Sequence, residues 1–345
     1  MNLNNSPKMQ AHIFSPGSTL TFKECTSLPA PMFYISSTVT GSYLYAGGGF
    51  GGSRSADEDV ERSVYKYSIT DDKWNRPLPP APVVKFGIAQ LSGKILLIGG
   101  RPKASRVTDK VYEYDEGTKQ WITSDSVPSM PTPRSSLTAI SWKSPAAILA
   151  CGGFDRHFNP LTCVEIYHQR SAQWQTSSPL PFPRAIATHT VIGNTVYIVG
   201  GYKNNSAHGY TRSVAFASIP ALLKNQQRPT LSPTGELAHE EDSSSEWQTL
   251  PDVPHFFTSV TSMGGCLLVV GGQRESLGAT TCIPSVYVYC PSSPNAIRWH
   301  SVGELPHACT MCATAALPTG ELLVMGGCTN NGLVSKVFRG AVSLD

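Results

Sequence analysis

An apolar strand ending in two consecutive glycines occurs six times in this 345-residue chain. The six are Tyr43-Leu-Tyr-Ala-Gly-Gly48, Ile95-Leu-Leu-Ile-Gly-Gly100, Ile148-Leu-Ala-Cys-Gly-Gly153, Val196-Tyr-Ile-Val-Gly-Gly201, Leu267-Leu-Val-Val-Gly-Gly272 and Leu322-Leu-Val-Met-Gly-Gly327. The first glycines, at 47, 99, 152, 200, 271 and 326, lie 52, 53, 48, 71 and 55 residues apart. A period near fifty calls for small units that bury their apolar faces only against one another.

Each unit repeats the same order of signals. After the glycines come a polar loop and a short Val/Tyr strand: Val64-Tyr-Lys-Tyr67, Val111-Tyr-Glu-Tyr114, Val164-Glu-Ile-Tyr167, Val214-Ala-Phe216, Val286-Tyr-Val-Tyr289 and Val337-Phe338. Then comes a tryptophan (Trp74, Trp121, Trp174, Trp247 or Trp299) and a Leu-Pro segment such as Leu78-Pro79 or Leu305-Pro306. Five tryptophans serve six glycine pairs, because the sixth unit reaches Asp345 before its last strand. Thr19-Leu-Thr-Phe-Lys23, followed by Leu28-Pro29, supplies that strand, with Phe22 in the tryptophan slot. A ring closed this way has no open sheet edge.

This order of Gly-Gly, Tyr and Trp resembles the Kelch repeat over residues 19–345. The resemblance implies an all-β fold: a six-bladed β-propeller of four-stranded antiparallel blades, the last closed by the N-terminal strand. Blades are expected at about 32–74, 85–121, 134–174, 184–247, 256–299 and 308–345 plus 19–23, forming one domain over 18–345 behind a loose arm at 1–17. Such a fold adds units around an axis, so 345 residues need not split into two cores. The 71-residue step marks an insertion at 218–245, whose Pro, Gln, Ser and acidic content predicts disorder. It reads as a tolerated loop expansion or a docking segment with phosphorylatable serines.

For function the resemblance is nearly silent, since similar propellers include ligase adaptors, actin binders and enzymes. A net charge of +3 with 15% charged residues excludes a polyanion-binding footprint, and no apolar run is long enough to span a bilayer. Neither nucleic acid nor membrane is an expected partner. The N-terminal residues lack a signal-peptide pattern, so a cytoplasmic location is expected. Nine scattered cysteines read as reduced, buried thiols.

No catalytic constellation emerges, and no cofactor or metal is expected. Cys309-Thr-Met-Cys312 has ligand-like spacing but no second pair, and residues three apart on a regular strand point to opposite faces. His189 on a first strand has no carboxylate or nucleophile beside it in sequence and reads as structural.

What remains is a face built by the loops after the glycines and by the segments leading into each first strand. The loops offer Arg101, Lys103, Arg106, Arg156, His157, Tyr202, Lys203, Asn204, Arg212, Arg274, Asn330 and Asn331. The lead-in segments offer Phe33, Tyr34, Lys85, Arg134, Arg184, His255, Phe256 and His307. Arginine forks match carboxylates and aromatics add rigid apolar area, so a protein or peptide ligand of acidic character is the expected partner of a non-catalytic, monomeric adaptor or scaffold. Against this, Arg134 and Arg184 follow proline at matching repeat positions and could instead bond backbone carbonyls. The alternative function is a small-molecule, carbohydrate or isomerase-type propeller with a pocket on the axis; the outlier on the binding face is the acidic run Asp57-Glu58-Asp59.

Overall fold

The computed structural model describes residues 14, 18–51, 61–103, 106–204, 206, 209–224, 246–276, 278–292 and 298–344. The 1–17 arm apart from Phe14, the acidic run at 57–59 and the 225–245 part of the insertion lie outside them.

Six antiparallel four-stranded sheets form six blades of a propeller. Blade one runs Ser36–Thr40, Tyr43–Gly47, Val64–Ser68 and Lys73–Trp74; blade two runs Gly87–Leu91, Lys94–Ile98, Val111–Asp115 and Gln120–Thr123. Blade three runs Thr138–Lys143, Ala146–Cys151, Val164–His168 and Gln173–Ser177, and blade four Thr188–Ile192, Thr195–Val199, Val214–Ser218 and Gln248–Leu250. Blade five runs Ser259–Met263, Cys266–Val270, Ser285–Tyr289 and His300–Glu304. In blade six, Ala313–Ala316, Leu322–Met325 and Val337–Leu344 are completed by Ser18–Cys25 from the N-terminus, with Phe22 opposite Gly340. The first and last strands of the chain thus close the wheel.

The apolar runs are continuous in the second strands because both sheet faces there are covered by neighbouring blades. Cys266–Val270 is buried at every position. Six buried clusters result, one for each pair of adjacent blades. Leu44 and Tyr67 of blade one meet Leu323 and Met325 of blade six, and Leu149 and Ile166 of blade three meet Ile198 and Ala215 of blade four. The core is therefore distributed around the ring.

The tryptophans tie each blade to the one before it. The indole N–H groups of Trp74, Trp121, Trp174, Trp247 and Trp299 donate to the carbonyls of Thr26, Pro79, Pro128, Ser178 and Pro251, at 2.7–3.1 Å. Phe22 fills the sixth slot by packing over Gly340, where an added Cβ would lie 2.8 Å from its ring. Gly152 shows why a glycine ends each second strand. Its φ is +60°, and a Cβ would lie 2.2 Å from the carbonyl oxygen of Arg184 in the next blade's lead-in segment.

Three expectations from sequence change. The insertion does not begin as disorder: Ile219–Lys224 is a helix with Ile219 and Leu222 buried in the blade three to blade four core. Two apolar residues at helical spacing give it the buried area that the rest of the segment's composition lacks. Cys266 and Cys290 are not free thiols but a disulfide, with 4.2 Å between their Cα atoms. They flank the paired residues Leu267 and Tyr289 and so face one another across two strands. Cys309 and Cys312 share one core, because Met311 between them is left-handed, with φ +55°, and turns the chain back on itself.

Candidate binding face

At every blade the segment leading into the first strand bridges to the residues just beyond the glycine pair. The pairs are Phe33 with Phe50, Val84 with Arg101, Ser135 with Phe154, Ala185 with Tyr202, Phe256 with Gln273 and Thr310 with Cys328. Loops and lead-in segments therefore do form one face. Immediately after each bridge comes a non-glycine residue in the left-handed region: Tyr34, Lys85, Ser136, Ile186, Phe257 and Met311, all with φ between 52° and 57°. Such backbone persists only when its surroundings over-determine it. Here the cause is visible. The amide of Tyr34 donates to the carbonyl of Met311, Met311 to Phe257, Ser136 to Lys85 and Ile186 to Ser136, at 2.7–3.1 Å, so the six residues stand around the axis in two hydrogen-bonded runs of three.

All six side chains line a cavity of about 140 Å³ at the mouth of the central channel. Below it a second cavity of about 330 Å³ continues along the axis, sharing His189 and Thr314 with the first. The walls of the first cavity carry eight serine and threonine hydroxyls, and four of them have committed their protons. Thr138 donates to Ala187 O, Thr188 to Thr258 O, Thr314 to Val260 O and Ser259 to Cys312 O, each across a blade boundary. His189 looks into the channel yet is surrounded by protein, and burial pulls its pKa down to about 4. It is neutral at physiological pH.

Around the mouth the aromatics form a connected set. Phe33, Phe50 and Tyr34 pack at 5.2–5.8 Å, Tyr34 meets Phe257 at 6.2 Å, and Phe257 meets Tyr202 and Tyr210 at 5.5 and 5.1 Å. Cations lie over its rim: Lys85 is 4.4 Å from the Phe50 ring, Arg101 5.0 Å from Phe158 and Arg212 5.3 Å from Phe256. Burial lowers the pKa of Lys85, with Glu61 opposing and Arg101 reinforcing the shift. Burial likewise raises that of Tyr34, followed by the neighbouring Tyr202.

The expected site residues divide into three groups. Lys103, Arg106, Arg156, His157, Lys203, Asn204, Arg274, Asn330 and Asn331 are exposed on the loops, and Arg101, Tyr202, Arg212, Phe33, Tyr34, Lys85 and Phe256 are half-buried around the mouth. Asn330 is partly committed, since its side-chain oxygen accepts from the Cys282 amide at 3.0 Å and joins the loops of blades five and six.

The third group does not reach the open face. Arg134 is 0% exposed and donates to the carbonyls of Gly152 and Cys163 and to the Glu165 carboxylate. Arg184, 1% exposed, donates to the carbonyls of Gly200 and Ser213. Both fasten second and third strands inside a blade, at the repeat position that Met32, Val83, His255 and Cys309 fill elsewhere, all buried. His255 packs edge-on to Tyr287, and His307, two residues earlier in its repeat, packs against Phe338 in place of reaching the mouth. No group of three or more potential metal ligands occurs among the described residues.

No family model matches the chain. Over 190 residues it is 29% identical to Kelch-like protein 35 of Mus musculus, covering 54% of this chain and 30% of that protein. Over 168 residues it is 26% identical to Kelch repeat and BTB domain-containing protein 12 of Danio rerio, covering 43% of this chain and 26% of that one. A Kelch repeat-containing protein of Arabidopsis thaliana matches at 21% identity over 331 residues, 92% of this chain and 73% of the relative. The chain is a Kelch-repeat β-propeller. In fold it is similar to the solved structure of YjhT, with a TM-score of 0.69 and 14% identity over 92% of this chain and 99% of that one. The chain matches about a third or less of the length of the first two relatives, and among its described residues no helix is long and apolar enough to cross a membrane.

Within this Kelch propeller, sequence reasoning found Tyr34 and Lys85 of the axial ring and missed Ser136, Ile186, Phe257 and Met311. The missing signal was positional: each stands two residues after the repeat position held by Arg134 and Arg184.

Proposed function

We propose that this propeller is a non-catalytic interaction module, an adaptor or scaffold that captures a protein or peptide partner on the face around the axial mouth. The observation that carries the reading is the joined aromatic surface with guanidinium and ammonium groups at its rim: rigid apolar anchors and arginines are the residue types that dominate binding energy in interfaces. The exposed Arg156 and Arg274 and the half-buried Arg101 and Arg212 give that rim a positive bias, which favours a partner of acidic character. The propeller acts as a monomer in this reading. A cytoplasmic location is supported by seven free cysteines, with the Cys266–Cys290 bridge the observation against it.

The test is selection of peptides from a displayed random library on the immobilised propeller, followed by Arg101→Ala with Arg156→Ala. The expected outcome is enrichment of acidic sequences whose binding weakens at least tenfold in the double variant and with rising salt. Enrichment of neutral or basic sequences, or binding unchanged by both substitutions, sinks the assignment of the face.

A further inference from the structure

The ring of left-handed residues places four apolar or aromatic side chains, Tyr34, Ile186, Phe257 and Met311, around a cavity whose wall also holds one ammonium, that of Lys85. No acidic residue lines this cavity. Its volume, about 140 Å³, is well below the roughly 300–1,000 Å³ of sites for drug-sized molecules. The mouth itself therefore takes a group about the size of one amino-acid side chain, with the cavity of about 330 Å³ continuing below it.

Three features narrow its chemistry. A cationic ligand is disfavoured because Lys85 already occupies the cation position over the Phe50 ring, at 4.4 Å, and would repel a second positive charge. A polyhydroxylated ligand is served by only half of the wall's eight serine and threonine hydroxyls as donors, because Thr138, Thr188, Ser259 and Thr314 donate their protons to carbonyls across blade boundaries. An apolar ring gains from the aromatic walls, and an attached carboxylate gains from an ammonium partly stripped of water.

We infer that the axial mouth is a binding site for a compact carboxylate bearing an aromatic group, held with its ring against the Tyr34–Phe257 pair and its carboxylate at Lys85. The site stands on the cavity alone and does not require the peptide-capture reading. The same chemistry comes from a free aryl acid or from a chain ending in phenylalanine with a free carboxylate.

Phenylacetate, phenethylamine and glucuronate are titrated separately into the full chain carrying ¹³C-methyl methionine, and the Met311 methyl resonance is followed, assigned through Met311→Leu. Phenylacetate is expected to shift it saturably, with phenethylamine and glucuronate at least tenfold weaker. Lys85→Gln should weaken phenylacetate at least fivefold, and Ile186→Trp, which fills the cavity, should abolish binding while leaving the melting temperature within a few degrees. Equal binding of the three probes, or undiminished phenylacetate binding in Lys85→Gln, overturns the inference. A tripeptide ending in phenylalanine, free or amidated, separates the sources: tighter binding of the free-acid tripeptide than of phenylacetate assigns the site to chain ends, and weaker binding assigns it to small acids. Phenylacetate binding with no peptide enriched from the library would leave this site standing and remove the interaction reading.

Discussion

Glu165→Leu should destabilise the propeller more than the double change Arg134→Met with Glu165→Leu. The two side chains are 0% and 2% exposed, so removing the carboxylate leaves a guanidinium without its counter-charge inside blade three. Breaking a buried pair in this way costs about 3–5 kcal/mol, whereas replacing both members with apolar residues is often neutral or better. Here the double change also removes donors to Gly152 O, at 3.3 Å, and Cys163 O, at 3.1 Å. At about 1 kcal/mol for each bond, it should cost about 2 kcal/mol. With roughly 2 °C lost per kcal/mol in a domain of this size, the single change lowers Tm by about 6–10 °C and the double by about 4 °C. Differential scanning calorimetry reads both. A double variant no more stable than Glu165→Leu refutes the reasoning, because it would mean that the unpaired charge was not the source of the loss. The double variant should also retain capture of any peptide the wild type selects, since Arg134 does not reach the open face.

Two further outcomes follow from the same geometry. Gly152→Ala should cost several kcal/mol, because its Cβ would lie 2.2 Å from the Arg184 carbonyl, while Gly193→Ala, at φ +55° with nothing within 4 Å, should cost only the roughly 1–2 kcal/mol of left-handed backbone; urea midpoints compare them, and equal losses refute the close-approach argument. His189 titrates near pH 4 in the folded chain against an ordinary 6.5, so between these values the unfolded chain takes up a proton that the folded one does not. Stability therefore falls as pH drops from about 6.5 to about 4, and His189→Gln should flatten that part of the profile; a histidine NMR titration placing His189 above 6 refutes it.

The wheel was legible in the sequence because its spacing devices are chemical. Glycine pairs mark where one backbone meets the next, and indole N–H groups mark where one blade is tied to its neighbour, so both recur with the repeat. Phe22 could be assigned to the missing slot because it stands before a Leu-Pro segment as the tryptophans do. The candidate site was less legible for the opposite reason. Its ring is made by backbone, and Tyr34, Lys85, Ser136, Ile186, Phe257 and Met311 share no chemistry that a repeat comparison could detect. Arg134 and Arg184 were placed at the right position in the repeat, yet position on a strand approach does not reveal whether a side chain turns outward or folds back onto carbonyls. The Cys266–Cys290 bridge needed the register of two strands, which follows only once Leu267 is known to oppose Tyr289.

The two runs of amide-to-carbonyl bonds at the hub separate what holds the rotor together from what a visitor would touch. Because main-chain atoms do the joining, the six projecting groups can be exchanged one at a time, like bits in a common chuck, with little disturbance to the frame. Ile186, the branched member in a conformation that branched residues avoid, is where such exchange should be easiest, and asparagine or glycine there should firm the frame while altering what the mouth accepts.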